Sequence, residues 1–123
     1  MIGYAMIGTN NLPKALGFYD GVLAMLGATR MMGDDKYQTY GTIFPSIGIT
    51  LPFDGKPATV GNGMMIALTA DSHAKVDVTH AKALALGGAC EGPPGIRGGE
   101  DSNFYAAYFR DPDGNKLCVF NAS

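Results

Sequence analysis

Few residues of this 123-residue chain carry the chemistry of a metal or hydrolytic centre. There are two histidines (His73, His80), two glutamates (Glu91, Glu100) and two cysteines (Cys90, Cys118). A site for a divalent metal draws mainly on imidazole and carboxylate donors, and beside its aspartates this chain has only those two histidines and two glutamates to offer, none of them at a position that reads as strand interior. The cysteines stand 28 positions apart, a spacing that forms neither a metal knuckle nor a disulfide framework, so both read as reduced thiols. No nucleophile elbow and no phosphate-cradling glycine loop occurs. What remains is softer chemistry. Tyrosines can hydrogen-bond or wall a pocket, and methionine and cysteine sulfur gives polarizable, mostly apolar surface. Arg97 is the one positive charge in a Gly- and Pro-rich stretch, free either to lie solvated or to close over a carboxylate or phosphate.

The elements that must position these groups come from an internal repeat. A gapless shift of 61 residues sets Tyr4-Ala5-Met6-Ile7 on Met65-Ile66-Ala67-Leu68, Lys14 on Lys75, Tyr19 on His80 and Gly27-Ala28 on Gly88-Ala89. In both halves an apolar strand runs into a capping side chain, Asn11 or Asp71/Ser72, then an amphipathic helix and a glycine stop. Leu12, Leu16, Tyr19, Leu23 and Leu26 recur at helical spacing, as do Val76, His80, Ala83 and Leu84, with Gly87 closing the second helix. His80 on that face reads as structural and His73, in the first turn, as solvated.

Beyond each helix the period drops to near two. It predicts strands at Arg30–Met32, Tyr37–Tyr40, Ile47–Phe53, Ala89–Glu91, Phe104–Arg110 and Lys116–Phe120. Asp111-Pro112-Asp113-Gly114-Asn115 is a hairpin turn, and Glu91 to Asn103, with Pro93-Pro94-Gly95 and Gly98-Gly99, reads as a mobile loop. The chain is thus an α+β domain over residues 1–123: two tandem β-α-β-β-β modules, about 1–55 and 64–123, joined by a linker at about 54–63.

Composition narrows the partners. A net charge of −2 with three arginines gives no basic stripe for nucleic acid, and no apolar run approaches the roughly 20 residues of a membrane span. With no signal-peptide pattern at the start, the expected location is the cytoplasm. Charged residues are 16% of the chain where about 25% is usual, so part of its apolar surface is expected to lie against a partner.

The duplicated modules, Phe18-Tyr19 in the first helix, Ala83-Leu84-Ala85-Leu86-Gly87-Gly88 ending the second, and Tyr108-Phe109-Arg110-Asp111-Pro112-Asp113-Gly114-Asn115-Lys116-Leu117 resemble the vicinal oxygen chelate superfamily of glyoxalase I, bleomycin- and fosfomycin-resistance proteins and extradiol dioxygenases. The resemblance covers essentially the whole chain. It implies curved mixed sheets whose concave faces enclose a pocket, pairing into a homodimer, and a divalent metal held near the start of each module's first strand and near its last. Those positions here are Tyr4 and Met65, and Thr50 and Cys118. None is His, Gln, Asp or Glu, so no metal and no other cofactor is expected.

Alternation along the first strand puts Tyr4 and Met6 on one face. Tyr108 pairs with Cys118 if the hairpin takes its three-residue bulged form. The reading is a binding protein whose pocket, lined by Tyr4, Met6, Thr50, Met65, Arg97, Tyr108 and Cys118, takes a flat or apolar molecule with at most one anionic group, with no catalytic residue assigned. Its rivals are a glyoxalase-like (lactoylglutathione lyase-type) or dioxygenase-like enzyme using Tyr4 or Cys118 for proton transfer, and a regulatory dimer with an empty pocket. A soft-metal role for Met65 and Cys118 also stays open.

Overall fold

A computed structural model of the chain describes residues 1–123. The first module comprises β1 (Tyr4–Gly8), α1 (Leu12–Ala24), β2 (Arg30–Gly33), β3 (Tyr37–Gly41) and β4 (Ser46–Thr50). The second comprises β5 (Ile66–Thr69), α2 (His73–Ala85), β6 (Ala89–Arg97), β7 (Phe104–Arg110) and β8 (Lys116–Asn121). Each forms a four-stranded mixed sheet, ordered β1-β4-β3-β2 and β5-β8-β7-β6, with β1/β4 and β5/β8 parallel.

The repeat survives in the helix caps. Asn11 accepts the Lys14 N–H, and Ser72, 61 residues on, accepts that of Lys75. Each cap satisfies a donor that the first turn leaves unpaired. No helix is long and apolar enough to cross a membrane.

One core joins the modules. Phe18, Tyr19, Val22 and Leu23 of α1, Val76 and Ala83 of α2, and Ile49, Ala107, Phe109, Leu117 and Val119 from the sheets belong to a single buried cluster. Each sheet therefore turns one face to the helices and leaves the other uncovered by them. Phe18 and Phe109 lie 6.3 Å apart across the module boundary. Polar bonds cross it too. The Tyr19 hydroxyl donates to Asp111 Oδ2 at 2.6 Å, Thr9 Oγ1 to Asp113 Oδ2 at 2.5 Å, and Asn115 Nδ2 to the Gly8 carbonyl at 2.9 Å.

Four details differ from the expectations above. The stretch read as a mobile loop is largely strand, since β6 continues through Arg97. It tolerates Pro93 and Pro94 because it is an edge strand with register shifts between Cys90 and Gly95, where a missing N–H breaks no ladder. Strand β4 stops at Thr50, two residues before Pro52. On α2, Thr79 takes the buried place expected of Leu84, which is exposed. Leu26 lies beyond the end of α1 and is only partly buried.

Gly88, just past the end of α2, sits against the second sheet with no room for a side chain. A Cβ there would lie 2.6 Å from the Arg110 carbonyl oxygen and 2.8 Å from that of Ala83. Both are backbone atoms that cannot swing aside. Gly88→Ala is expected to cost about 1–3 kcal/mol of stability. A change in urea midpoint too small to correspond to 0.5 kcal/mol, with the slope unchanged, would contradict this close packing.

Candidate functional site

Side chains that alternate away from the helices build the candidate site. On the first sheet these are Tyr4 and Met6 of β1 and Thr50 of β4, with Met6 opposite Gly48 and Gly8 opposite Thr50. On the second, Tyr108 pairs with Cys118, as the three-residue hairpin requires, and Cys118 lies beside Ala67. The Asp111 N–H donates to the Asn115 carbonyl at 2.9 Å, and Gly114, at φ 94°, closes the turn.

The seven expected pocket residues fall into separate places. Met6 and Met65 meet in a cavity of about 120 Å³ between the C-terminal half of β1 and the start of β5, together with Met64, Val60, Asn115 and Lys116. Tyr4, 62% exposed, lies outside it. Tyr4 and Met65, matched by the 61-residue repeat, therefore do not share a cavity; Met6 and Met65 do, at the C-terminal end of β1. Thr50 lines a different cavity and donates its hydroxyl to the Leu51 carbonyl at 2.8 Å. The register also separates it from Cys118. Met6 faces Gly48 as its repeat mate Ala67 faces Cys118, so Gly48 is the counterpart of Cys118 and Thr50 sits one row further along.

Arg97, Tyr108, Lys116 and Cys118 do come together. The Arg97 guanidinium lies 5.6 Å from the centre of the Tyr108 ring and Lys116 Nζ lies 5.8 Å from it, both within cation–π reach. Arg97 does not ride on a mobile loop. It ends β6 and folds back, donating from Nη2 to the Pro93 carbonyl at 2.6 Å. Gly92 and Gly95 leave room for it, since a Cβ at either would lie 3.3 or 2.9 Å from its guanidinium nitrogens.

No carboxylate neutralises Arg97 or Lys116. The ion pairs of the molecule are Arg30–Asp20 and Arg110–Glu91. Cys118 is 1% exposed. Burial pushes its thiol up, while hydrogen bonding to Tyr108 and the charges of Arg97 and Lys116 pull the other way. Lys116 and Met64 were not singled out in the sequence, although alternation from Cys118 already put Lys116 on its face.

The histidines stand apart from this group. His80 is buried among core residues and its Nε2 has no partner, so it is less fully satisfied than its sequence setting suggested. Burial lowers its pKa, and the Tyr108 backbone and Asp77 oppose that shift. His73 is not simply solvated but stacks on Tyr105 at 4.0 Å.

The donor set does not fit the divalent metal that the resemblance implies. The positions concerned offer a phenol, a thioether, an internally bonded hydroxyl and a buried thiol, and nowhere do three His, Cys, Asp or Glu side chains gather to hold a metal ion. What the arrangement offers instead is two positive charges beside an aromatic ring, that of Arg97 anchored by its bond to Pro93, and sulfur-rich apolar surface.

Comparison with known proteins matches residues 1–119 to the Glyoxalase/Bleomycin resistance protein/Dioxygenase superfamily. Among solved structures the chain is similar to a glyoxalase/bleomycin resistance protein from Albidiferax ferrireducens T118, at 39% identity and a TM-score of 0.90 over 100% of this chain and 99% of that one. It shares the fold of a glyoxalase/bleomycin resistance protein/dioxygenase family enzyme from Burkholderia phytofirmans PsJN (18% identity, TM-score 0.75, 98% of each chain). It shares it also with a lactoylglutathione lyase from Agrobacterium tumefaciens (21% identity, TM-score 0.66, 98% of this chain and 92% of that one). No curated protein sequence matches the chain. With the family match spanning nearly the whole length and two β-α-β-β-β modules beneath it, the chain belongs to the glyoxalase/bleomycin resistance protein/dioxygenase superfamily.

Proposed function

We propose that this protein binds a small organic anion with a flat apolar body, without the help of a metal. The observation that carries this reading is the pair of unneutralised cations, Arg97 and Lys116, held over the Tyr108 ring, with Lys116 also on the wall of the methionine-lined cavity. A carboxylate suits the guanidinium fork. The apolar body suits the soft surface of Met6 and Met65, which can reshape around it. Cys118 is a poor candidate for proton transfer because its thiol is buried and shifted upward.

Calorimetric titration tests this with 2-naphthoate and its uncharged amide. Arg97→Ala is expected to weaken the carboxylate by roughly tenfold, about 1.4 kcal/mol, and to leave the amide unchanged. Equal effects on both would show that Arg97 does not act on the ligand's charge.

A ligand pocket usually encloses roughly 300–1,000 Å³, and the methionine cavity is about 120 Å³. Only part of the ligand would enter it, and the rest would lie on the open face. That face also carries Tyr4 and Met6, both exposed, and Ile43 and Phe44 in the turn before β4 and Met64 beside Met65 are exposed as well. A second copy of the chain is proposed to cover this surface. Light scattering at micromolar concentration should then give twice the 12.9 kDa chain mass, and a mass of one chain would contradict it. The reading also places the protein in the cytoplasm, where Cys90 and Cys118, both unpaired, stay reduced.

A further inference from the structure

One wall of the methionine-lined cavity is unlike the others. Most of the lining comes from β1, the start of β5 and the start of β8, all tied into the sheets, but Thr59, Val60, Gly61 and Met64 belong to the chain that joins β4 to β5. Every residue from Thr59 to Met65 is exposed, so no buried side chain anchors this segment. From Thr59 to Met64 its backbone makes one hydrogen bond, Met64 N–H to the Gly61 carbonyl at 3.1 Å, and that bond lies within the segment itself. A Cβ at Gly114 would lie 3.6 Å from Val60 Cγ1, so the segment rests against the β7–β8 turn without being bonded to it.

Its attachment to the body comes one residue earlier. Asn10 Oδ1 accepts the Ala58 N–H at 2.7 Å, and Asn10 Nδ2 donates to the Ala58 carbonyl at 3.1 Å. Asn10 is itself held by its N–H, which donates to Asp113 Oδ1 at 3.1 Å. The clasp therefore ties the segment to the same turn that brings Asn115 to the cavity. Past the clasp, Gly61 and Gly63, the latter at φ 96°, give the backbone freedom to rotate. Few buried contacts and unpaired backbone groups mark the parts of a protein that open first, and here a two-bond clasp is what opening must break.

We propose that residues 59–64 are a strap over the methionine cavity and that Asn10 is its latch: the strap swings out to admit the apolar end of the organic anion and closes again on it. The ligand is that of the reading above, on which this part of the proposal rests. The latch bonds form with the cavity empty or filled, so their loss speeds entry and exit alike and leaves affinity nearly unchanged. A residue that touched the ligand would change affinity instead.

Asn10→Ala removes the clasp and keeps the backbone bond to Asp113, at an exposed position, so the urea midpoint should stay near that of the wild type. Stopped-flow mixing with 2-naphthoate, followed by the ligand's own fluorescence, should show association and dissociation both faster by roughly five- to tenfold, with affinity within about twofold. Arg97→Ala should lower affinity and leave the strap alone. Hydrogen exchange of the Ala58 amide reads the opening without any ligand. It should run at least about 100-fold faster than that of the amides inside α1, and stay the same in Arg97→Ala. Fast Ala58 exchange with no binding of 2-naphthoate would support the strap and contradict the reading above. Ala58 exchange as slow as that of α1, or entry and exit rates untouched by Asn10→Ala, would overturn the proposal.

Discussion

Replacing Asp111 with alanine is expected to destabilise the domain by about 3–5 kcal/mol. The Asp111 carboxylate is buried and saturated. Its Oδ2 accepts from the Tyr19 hydroxyl at 2.6 Å and from Asn115 Nδ2 at 2.9 Å, and its Oδ1 accepts the N–H groups of Asp113 and Asn115 at 3.0 and 2.9 Å. Removing it strands a phenol in the middle of the core, since Tyr19 is 0% exposed. It also undoes the hairpin that sets the Tyr108–Cys118 register. Each buried donor left unpaired costs about 1–3 kcal/mol, more than the net worth of the bond itself.

Tyr19→Phe is the informative companion. It removes one of the four bonds and leaves the turn intact, so its expected cost is about 1–2 kcal/mol. Urea unfolding of the two variants checks the ranking. An Asp111→Ala loss no larger than that of Tyr19→Phe would show that the carboxylate does not organise the hairpin.

Met65→Asp is the second large effect, and it acts on binding rather than on folding. Met65 is partly exposed in the free protein, so the introduced carboxylate stays hydrated and the domain should unfold at nearly the wild-type midpoint. With a ligand in place, that charge would be shut in against an apolar body and would compete with the ligand's own anion for Lys116, which lines the same cavity. Binding of 2-naphthoate should fall by 100-fold or more, at least about 2.7 kcal/mol. Met65→Leu keeps the apolar wall and should stay within a few-fold of wild type. Affinity that is indifferent to both changes would remove Met65 from the site.

Much of the fold was legible because each module announces itself locally. The 61-residue offset carries the cap pair Asn11/Lys14 onto Ser72/Lys75, and it carries α1 onto α2 end to end. The hairpin at Asp111 to Asn115 fixes the pairing of β7 and β8 through turn chemistry alone. What was not legible depends on how distant segments meet. Alternation puts Tyr4 and Met6 on one face but does not say which of them reaches the other module, and it is Met6 that does. Pro93 and Pro94 look like breakers until the strand that holds them is known to lie at an edge. Arg97 shows as a charge, but the seat made for it by Gly92 and Gly95 exists only once β6 runs beside Tyr108. The clasp of Asn10 on Ala58 likewise joins residues 48 positions apart.

In the proposed binding mode an organic anion is held by Arg97 and Lys116 with no metal between ligand and protein. Titrating 2-naphthoate into protein dialysed against a strong chelator, and again after adding back zinc, nickel or manganese, distinguishes this from a metal-bridged mode. The same affinity is expected in every case, with a roughly tenfold loss (about 1.4 kcal/mol) on Lys116→Ala. Binding that disappears on chelation and returns with one equivalent of divalent metal would contradict it.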